Sequence, residues 1–271
     1  MGSEAPESTL PYPPLHVGKK FVVLSDWDGT ITDFDSNDYL TDNIGFGLDE
    51  RRRLNELVLK GQIGFRDAFR LMLDSVANGD QGGADFEFCK DMLRKNIKVD
   101  GGFSDFYQWT TKNDVPFVIV SSGMTPIIRA VLDEKLGGVG KDVDIISNDV
   151  DIAFDGRWSI KYRHPTSTFG HDKSQAILPY KALQDPPTLF FFGDGVSDMS
   201  AAQHADVLFV KVNQTHNDLA MYCENNGIQH IKFTSFADAA PVVEAIVKGQ
   251  LDAKKALKAG STKAIEELLG V

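Results

Sequence analysis

Cysteine is scarce in this sequence, and long apolar runs are absent. Cys89 and Cys223 are the only cysteines among 271 residues, so no disulfide framework is indicated and a reducing compartment, the cytoplasm, is expected. No apolar stretch reaches the length that spans a bilayer, and we expect no membrane partner. The formal net charge of −11 disfavours a nucleic-acid partner, although it is compatible with a local basic site.

The first 18 residues are rich in proline and poor in apolar side chains. The stretch MGSEAPESTLPYPPLH contains four prolines and lacks the apolar segment of a secretory signal. Such a composition buries too little surface to fold alone. We therefore expect residues 1–18 to form a disordered arm.

Short apolar runs alternate with helical patterns through most of the remaining chain. Strands are expected at 21–25, 116–121, 143–146, 188–193 and 207–210. Because these runs are continuously apolar, they indicate a parallel sheet that is covered on both faces. The prediction is a doubly wound α/β fold that binds its ligand beyond the carboxyl ends of the strands.

Two segments depart from this alternation. DVDIAFDGRWSIKY reads as a β-hairpin that turns at Asp155-Gly156. Between about Asn37 and Lys98 the patterns are helical only, which indicates a helical subdomain inserted after the first strand. We accordingly assign residues 19–36 and 100–271 to the α/β core and residues 37–99 to a helical cap, in which the run Arg51–Arg53 is expected to be a solvated helix face.

Polar side chains stand where several predicted strands end. Asp26 follows the first strand, Ser121 ends the second, Asp194 follows the TLFFFG run, and Lys173 opens the helix after the hairpin. Each residue alone is typical of an ordinary turn or helix cap. The carboxyl ends of parallel strands lie along one edge of a sheet, however, so the four together indicate a site.

The acids occur as two closely spaced pairs, Asp26 with Asp28 and Asp194 with Asp198. Such a cluster is unfavourable without positive charge, and its oxygen ligands suit Mg²⁺, which often joins carboxylates to a phosphate. An aspartate can also be a nucleophile that forms an aspartyl-phosphate. A second acid two residues away can protonate the leaving oxygen and later activate water.

The motifs DWDGT, VIVSSG, HDKSQAI and GDGVSD, in this order, resemble the signature of the haloacid dehalogenase superfamily over about residues 20–215. The insertion resembles the helical cap of the phosphoserine-phosphatase-like branch. Within that branch, DGTIT, SSGM and GDGVSD are similar to the phosphatase of methionine salvage. DSNDYLTDNIGFG, SSGMTPII and FGHDKS are similar to fungal phosphatases that act on sugar-alcohol phosphates.

The resemblance implies a role for each motif residue. Asp26 is expected to be the nucleophile and Asp28 the general acid and base. Ser121, the backbone N–H of Ser122 and Lys173 are expected to hold the phosphoryl group.

The resemblance also implies a metal site. Mg²⁺ is expected to be bound by Asp26, the backbone carbonyl of Asp28, and Asp194, with Asp198 organising waters and Lys173. Further candidates for contact with the substrate or its phosphate are Thr30, Ser122, Gly123, Ser197, Asp35, Asn37, Arg70 and His171.

The leaving group is open between several small phosphomonoesters. Ser197 and Asp35 replace an asparagine and a glutamate that are usual in phosphoserine phosphatases, which weakens that assignment. Arg70 aligns with an arginine that binds the serine carboxylate, but it also fits an i,i+4 partner of Asp74. Asn37 fits a cap of the first inserted helix as well as a contact with substrate hydroxyls.

The polar groups near the first motif suit hydroxyls, so we expect a polyol phosphate such as sorbitol or ribitol phosphate. Phosphoserine and the methylthio-ketopentenyl phosphate of methionine salvage are the alternatives. A phospho-accepting receiver domain would share the strand-end acids but has no use for Asp28 or for a cap. A dehalogenase would likewise have no use for an acid at Asp28.

Overall fold

The structure, a computed structural model, describes residues 5–79, 83–213 and 217–270. Its strands are Phe21–Ser25 (β1), Phe117–Met124 (β2), Asp144–Ile152 (β3), Trp158–Lys161 (β4), Thr188–Gly193 (β5), Val207–Lys211 (β6) and Ile231–Phe233 (β7). They form one sheet in the order β4-β3-β2-β1-β5-β6-β7. The pairs β2–β1, β1–β5, β5–β6 and β6–β7 are parallel, whereas β3 and β4 are antiparallel.

The helices alternate with the strands or fill the insertion after β1. They are Ser36–Ile44 (α1), Leu48–Leu59 (α2), Phe65–Ala77 (α3), Phe86–Asn96 (α4), Phe103–Lys112 (α5), Thr125–Leu136 (α6), Ser174–Lys181 (α7), Met199–Ala202 (α8), Asp218–Asn225 (α9), Phe236–Val247 (α10), Ala253–Ala259 (α11) and Thr262–Leu269 (α12). Among the described residues, none of these helices has the length and apolar character needed to cross a membrane.

The described residues divide into two compact units. The first unit lies within Met1–Tyr12, Thr32–Lys98 and Ser121–Asp172, and the second within Pro13–Ile31, Val99–Val120 and Lys173–Val271. Strand β2 therefore begins in the second unit and ends in the first.

The central strands of the second unit are apolar on both faces. Strand β1 lies between β2 and β5, which pairs Val23 with Phe117 on one side and with Phe190 on the other. Val23 and Phe190 have no exposed surface, and the rings of Phe192 and Phe209 stack with their centroids 4.4 Å apart. Burial on both faces explains why these strands read as uninterrupted apolar runs.

The first unit combines α1–α4 with the hairpin β3–β4. The buried face of α3 carries Phe69 and Val76, which lie seven residues apart as expected for one helix stripe. On the hairpin, the ring N–H of Trp158 donates to the carbonyl oxygen of Ala84 at 2.8 Å, and the Trp158 ring meets the ring of Phe86 edge to face. One aromatic residue thus joins the hairpin to the start of α4.

The structure confirms the α/β fold and the main strands. Strands β1 and β5 have the predicted bounds, and the predicted hairpin turns at Gly156 with a φ of +85°. Strand β3 is longer than expected because 143–146 and the start of the hairpin belong to one strand. Strand β7 has only three residues, too short a run to be recognised as a strand from its sequence. The described part of the insertion holds four helices and no strand.

Part of the N-terminal arm contacts the segment after β4. The Thr9 N–H donates to the carbonyl oxygen of Arg163 at 2.8 Å, and Arg163 Nη1 donates to the carbonyl oxygen of Leu10 at 3.0 Å. The hydroxyl of Tyr12 lies 2.7 Å from His164 Nε2. These contacts differ from the expected disorder because they use a polar partner surface that the arm's own composition does not reveal. The domain boundaries at 18, 37 and 99 stay predictions.

Candidate active site

The first acid of the DWDGT motif is buried and held in one orientation. The Asp26 N–H donates to the carbonyl oxygen of Phe192 at 2.8 Å, which continues the pairing of β1 with β5. The Asp26 Oδ1 atom accepts the N–H of Trp27 at 2.6 Å and lies 2.6 Å from Lys173 Nζ. With two donors on one oxygen, the carboxyl group cannot rotate freely.

Lys173 joins two acids that are far apart in the sequence, Asp26 and Asp198. Its Nζ lies 2.7 Å from Asp198 Oδ1 as well as 2.6 Å from Asp26 Oδ1, and its side chain is fully buried. Burial alone would lower the pKa of Lys173, but the two carboxylates outweigh it and hold the pKa above its usual value. Lys173 is therefore a permanent cation between these acids.

One lysine does not neutralise the acids around it. Burial raises the pKa of Asp26 well above its usual value, and the negative charges of Asp198 and Asp194 raise it further, while Lys173 opposes them. The carboxyl group of Asp26 thus lies in a site with an excess of negative charge.

Asp198 is enclosed by the turn of its own motif, GDGVSD. Its Oδ2 accepts the N–H groups of Asp194 at 3.1 Å and Gly195 at 3.2 Å. A Cβ atom at Gly193 would lie 2.6 Å from Asp198 Cγ, so this turn closes only over a glycine. Asp198 contacts Lys173 at 2.7 Å, and the supporting role expected for Asp198 stays a prediction.

The turn after β1 packs directly against Asp194. Gly29 has a φ of +76°, and a Cβ atom there would lie 2.4 Å from Asp194 Oδ2, so both the conformation and the space require glycine. The hydroxyl of Thr30 donates to Asp194 Oδ1 at 3.0 Å. Thr30, a candidate for contact with the phosphate, thus uses its hydroxyl to hold Asp194, and Asp28 is buried beside it in the same turn.

The donor set fits a hard divalent cation. Asp26, Asp194 and Asp198 each offer a carboxylate oxygen, and these atoms lie within 4.8 Å of one another. Oxygen ligands and surplus negative charge are the features that Mg²⁺ requires. The Asp28 side chain is outside this group, and its assignment to the metal through the backbone carbonyl stays a prediction.

The last three residues of the VIVSSG motif, Ser121, Ser122 and Gly123, lie near the end of β2 in the first unit. Ser121 Oγ accepts the N–H of Gly123 at 2.9 Å, and the carbonyl oxygen of Ser121 accepts a hydrogen bond from His171 Nδ1 at 2.7 Å. The carbonyl oxygen of Ser122 accepts from Asn148 Nδ2 at 2.7 Å. The structure thus brings Ser121, Ser122, Gly123 and His171 together in that unit.

The candidates at the start of α1 have local partners. Asp35 is the N-cap of α1, and its Oδ1 accepts the N–H groups of Asn37 at 2.7 Å and Asp38 at 2.9 Å. Burial raises the pKa of Asp35, and those two N–H groups partly offset the rise. Asn37 lies buried inside the first turn; the capping residue is Asp35, so the expectation that Asn37 caps this helix is wrong.

Arg70 and Ser197 are both open to solvent. Arg70 Nη2 lies 3.5 Å from Asp67 Oδ1, with its side chain half exposed. The expected partner, Asp74, has a pKa that burial raises and the charge of Arg70 lowers, so the guanidinium interacts with both acids. Ser197 lies in the 3-10 turn Val196–Asp198 and is partly exposed.

Three polar residues near these motifs are missed by sequence reasoning. Asn148 stands inside β3, where a polar residue carries no distinctive signal. Lys211 ends β6, and its Nζ donates to Asp100 Oδ2 at 2.9 Å. Because Lys211 and Asp100 are 111 positions apart, no local pattern predicts their pairing.

Comparison with known proteins identifies the family. A family model described as haloacid dehalogenase-like hydrolase matches residues 23–203. Pdp3-interacting factor 1 of Schizosaccharomyces pombe is 45% identical over 223 residues, which cover 81% of this chain and 93% of that protein. The polyol phosphate phosphatase PYP1 of Saccharomyces cerevisiae is 40% identical over 240 residues, which cover 85% of this chain and 95% of that protein.

A solved structure supports the fold. The phosphoserine phosphohydrolase-like protein of Francisella tularensis matches with a TM-score of 0.60 and 18% identity, covering 82% of this chain and 99% of that chain. The fold and the strand-end acids are those of a hydrolase with an α/β core and a helical insertion. The chain belongs to the haloacid dehalogenase-like hydrolase family, which confirms the family that its motifs resemble.

Proposed function

We propose that this phosphatase hydrolyses a small polyol phosphate, such as sorbitol or ribitol phosphate, through an aspartyl-phosphate on Asp26. The observation that carries the reaction is the buried cluster in which Lys173 holds both Asp26 and Asp198. The substrate class rests on the 40% identity to a protein named as a polyol phosphate phosphatase. The Asp35 carboxylate does not add support for a substrate rich in hydroxyls, because it caps α1.

The proposed reaction has two displacements at phosphorus. In the first, a carboxylate oxygen of Asp26 forms a bond to phosphorus while the bond to the leaving oxygen breaks, and Asp28 gives that oxygen a proton. In the second, a water oxygen forms a bond to phosphorus while the bond from phosphorus to the Asp26 oxygen breaks, Asp28 takes a proton from the water, and inorganic phosphate and the free Asp26 carboxylate result. The fixed orientation of the Asp26 carboxyl group favours this attack because less rotational freedom is lost on reaching the transition state.

Lys173, Ser121 and the backbone N–H of Ser122 are proposed to hold the phosphoryl oxygens. Lys173 supports this role because Asp198 and Asp26 hold its pKa above the usual value, so that it is a cation at neutral pH. Mg²⁺ is proposed to be held by Asp26, Asp194 and the backbone carbonyl of Asp28. When bound, it supplies positive charge against the carboxylates and the phosphoryl group.

The two acids of the first motif can be separated by their leaving-group dependence. Asp26→Asn is expected to abolish turnover because it removes the nucleophile. Asp28→Asn is expected to lower kcat by about 10²–10⁴-fold with an alkyl phosphate, the usual effect of losing a general acid. The loss should be smaller with p-nitrophenyl phosphate, whose leaving group needs no proton. Steady-state kinetics with both substrates tests this, and equal losses for the two would exclude Asp28 as the acid.

The substrate is tested by a panel of phosphomonoesters at equal concentration, with released phosphate as the readout. We expect kcat/KM to be highest for sorbitol or ribitol phosphate, because a site built for hydroxyls rejects analogues that leave its polar groups unpaired. Phosphoserine as the best substrate would point to Arg70 as a carboxylate ligand. A preference for a methylthio-ketopentenyl phosphate would place the enzyme in methionine salvage. Stable phosphorylation without turnover would favour a receiver-like role.

A further inference from the structure

The second unit contains an ion pair that the reaction does not use. Lys211 Nζ lies 2.9 Å from Asp100 Oδ2, and their side chains are only 9% and 4% exposed. A buried pair of this kind costs desolvation energy that its attraction only partly repays, so apolar residues of similar size are often as stable or more stable there. The pair therefore needs an explanation other than stability.

Asp100 is fixed in place from three directions. Its Oδ1 accepts the N–H groups of Gly102 at 3.0 Å and Phe236 at 3.1 Å, at the starts of α5 and α10. Its own N–H donates to the carbonyl oxygen of Ile31 at 2.8 Å. A Cβ atom at Gly102 would lie 2.2 Å from the backbone nitrogen of Ala237, so the two helix starts that hold this carboxylate pack closely against each other.

Lys211 connects Asp100 to the turn after β1. Its Nζ donates to the carbonyl oxygen of Thr30 at 2.8 Å, next to the Ile31 carbonyl that Asp100 holds. The Thr30 hydroxyl in turn donates to Asp194 Oδ1 at 3.0 Å. One chain of contacts thus runs from Asp100 through Lys211 and Thr30 to Asp194.

We infer that Lys211 and Asp100 are positioning residues that orient the Asp194 carboxylate for a divalent cation through Thr30. An apolar pair would fill the same volume but would leave the Thr30 carbonyl and the turn without a donor. The inference rests on the proposed function insofar as Asp194 is a metal ligand. Residues that hold a ligand in place in this way commonly contribute 10- to 100-fold to metal affinity.

The test measures Mn²⁺ binding without substrate, from the loss of the free-ion EPR signal. Lys211→Met and Thr30→Val are each expected to weaken Mn²⁺ binding on the order of tenfold. In the double variant the two losses should not add, because both remove the same path to Asp194. Lys232→Met is the matched control, since Lys232 pairs with Glu224 at the surface. This variant should bind Mn²⁺ as the wild type does.

Asp100→Asn decides the matter if Lys211→Met fails to fold, because asparagine keeps the Oδ1 acceptor for Gly102 and Phe236 but loses the charge that holds Lys211. It should weaken Mn²⁺ binding with a smaller loss of thermal stability. If the variants have a lower Tm but bind Mn²⁺ as tightly as the wild type, this inference is wrong and the proposed metal site is unaffected. A wild type that binds no Mn²⁺ would overturn both this inference and the proposed metal site. A wild type that binds Mn²⁺ but hydrolyses no phosphomonoester would contradict only the proposed function.

Discussion

At the residue scale, His171 acts on the backbone of β2. Its Nδ1 lies 2.7 Å from the carbonyl oxygen of Ser121, and since a carbonyl only accepts, Nδ1 carries the proton. In a trans peptide the C=O and the following N–H point in opposite directions. By holding the Ser121 carbonyl, His171 therefore also sets the direction of the Ser122 N–H, which is proposed to meet the phosphoryl group. His171 is fully buried.

Replacing His171 separates this orienting effect from simple packing. His171→Ala is expected to lower kcat/KM by about 10- to 100-fold, because a buried carbonyl loses its donor and the peptide is free to turn. His171→Asn keeps a donor near the position of Nδ1 and should recover most of this loss. The measurements are steady-state kinetics and the inhibition constant of inorganic phosphate. Equal phosphate inhibition in the wild type and both variants would contradict an effect on the Ser122 N–H.

The residues that sequence reasoning finds are those that carry charge at strand ends. Asp26, Lys173 and Asp198 are expected to act together, and the structure joins them directly. The polar residues that contact the turn after β1 are not found in this way. Lys211 and Asp100 are each a lone charged residue in the sequence, and only the folding of distant segments onto one another pairs them.

At the element scale, α1 and α2 are joined by a buried arginine. Arg51 donates from Nε to Asp42 Oδ1 at 2.6 Å and from Nη1 to Asp38 Oδ2 at 2.6 Å, and its side chain is 8% exposed. The Arg51–Arg53 run is expected to be a solvated face, and Arg53 pairs with Glu50 at the surface as expected. The expectation is wrong for Arg51, which shares the buried stripe of α2 with Leu54, three residues later.

The two arginines make a matched pair for a stability measurement. Arg51→Met is expected to lower the free energy of unfolding by about 3 kcal/mol, because it leaves two mostly buried carboxylates without their guanidinium. Arg53→Met should change it little, since exposed ion pairs contribute little to stability. Urea unfolding followed by circular dichroism compares them. Similar midpoints for the two variants would show that the Arg51 cluster does not hold α1 to α2.

At the scale of the whole molecule, His164 links stability to pH. Its Nδ1 accepts the N–H of Asp172 at 3.0 Å, so the ring proton is on Nε2, which lies 2.7 Å from the Tyr12 hydroxyl. Burial, together with the charge of Arg163 and against the opposing charge of Asp172, lowers the pKa of His164 to about 4. Folding therefore favours the neutral ring.

The direction of the pH effect follows from that shift. In the unfolded chain a histidine titrates near 6.5, so between pH 6.5 and 4 the unfolded state binds a proton that the folded state does not. The contribution of His164 to stability is complete above pH 6.5 and is lost as the pH falls through 6.5 toward 4. The full shift corresponds to a loss of at most about 3 kcal/mol.

Two variants isolate this contribution from the other acids that titrate in the same range. His164→Asn keeps an acceptor for the Asp172 N–H but loses the ring and its contact with the Tyr12 hydroxyl, so it should be less stable than the wild type at pH 7.5. Because asparagine has no proton to gain, this gap should close by pH 4.5. Tyr12→Phe keeps the histidine, so the slope of its stability against pH should stay like that of the wild type. Urea unfolding at several pH values between 7.5 and 4.5 gives the three curves. A constant gap between the wild type and His164→Asn would mean that protonation of His164 does not contribute to the acid sensitivity of the fold.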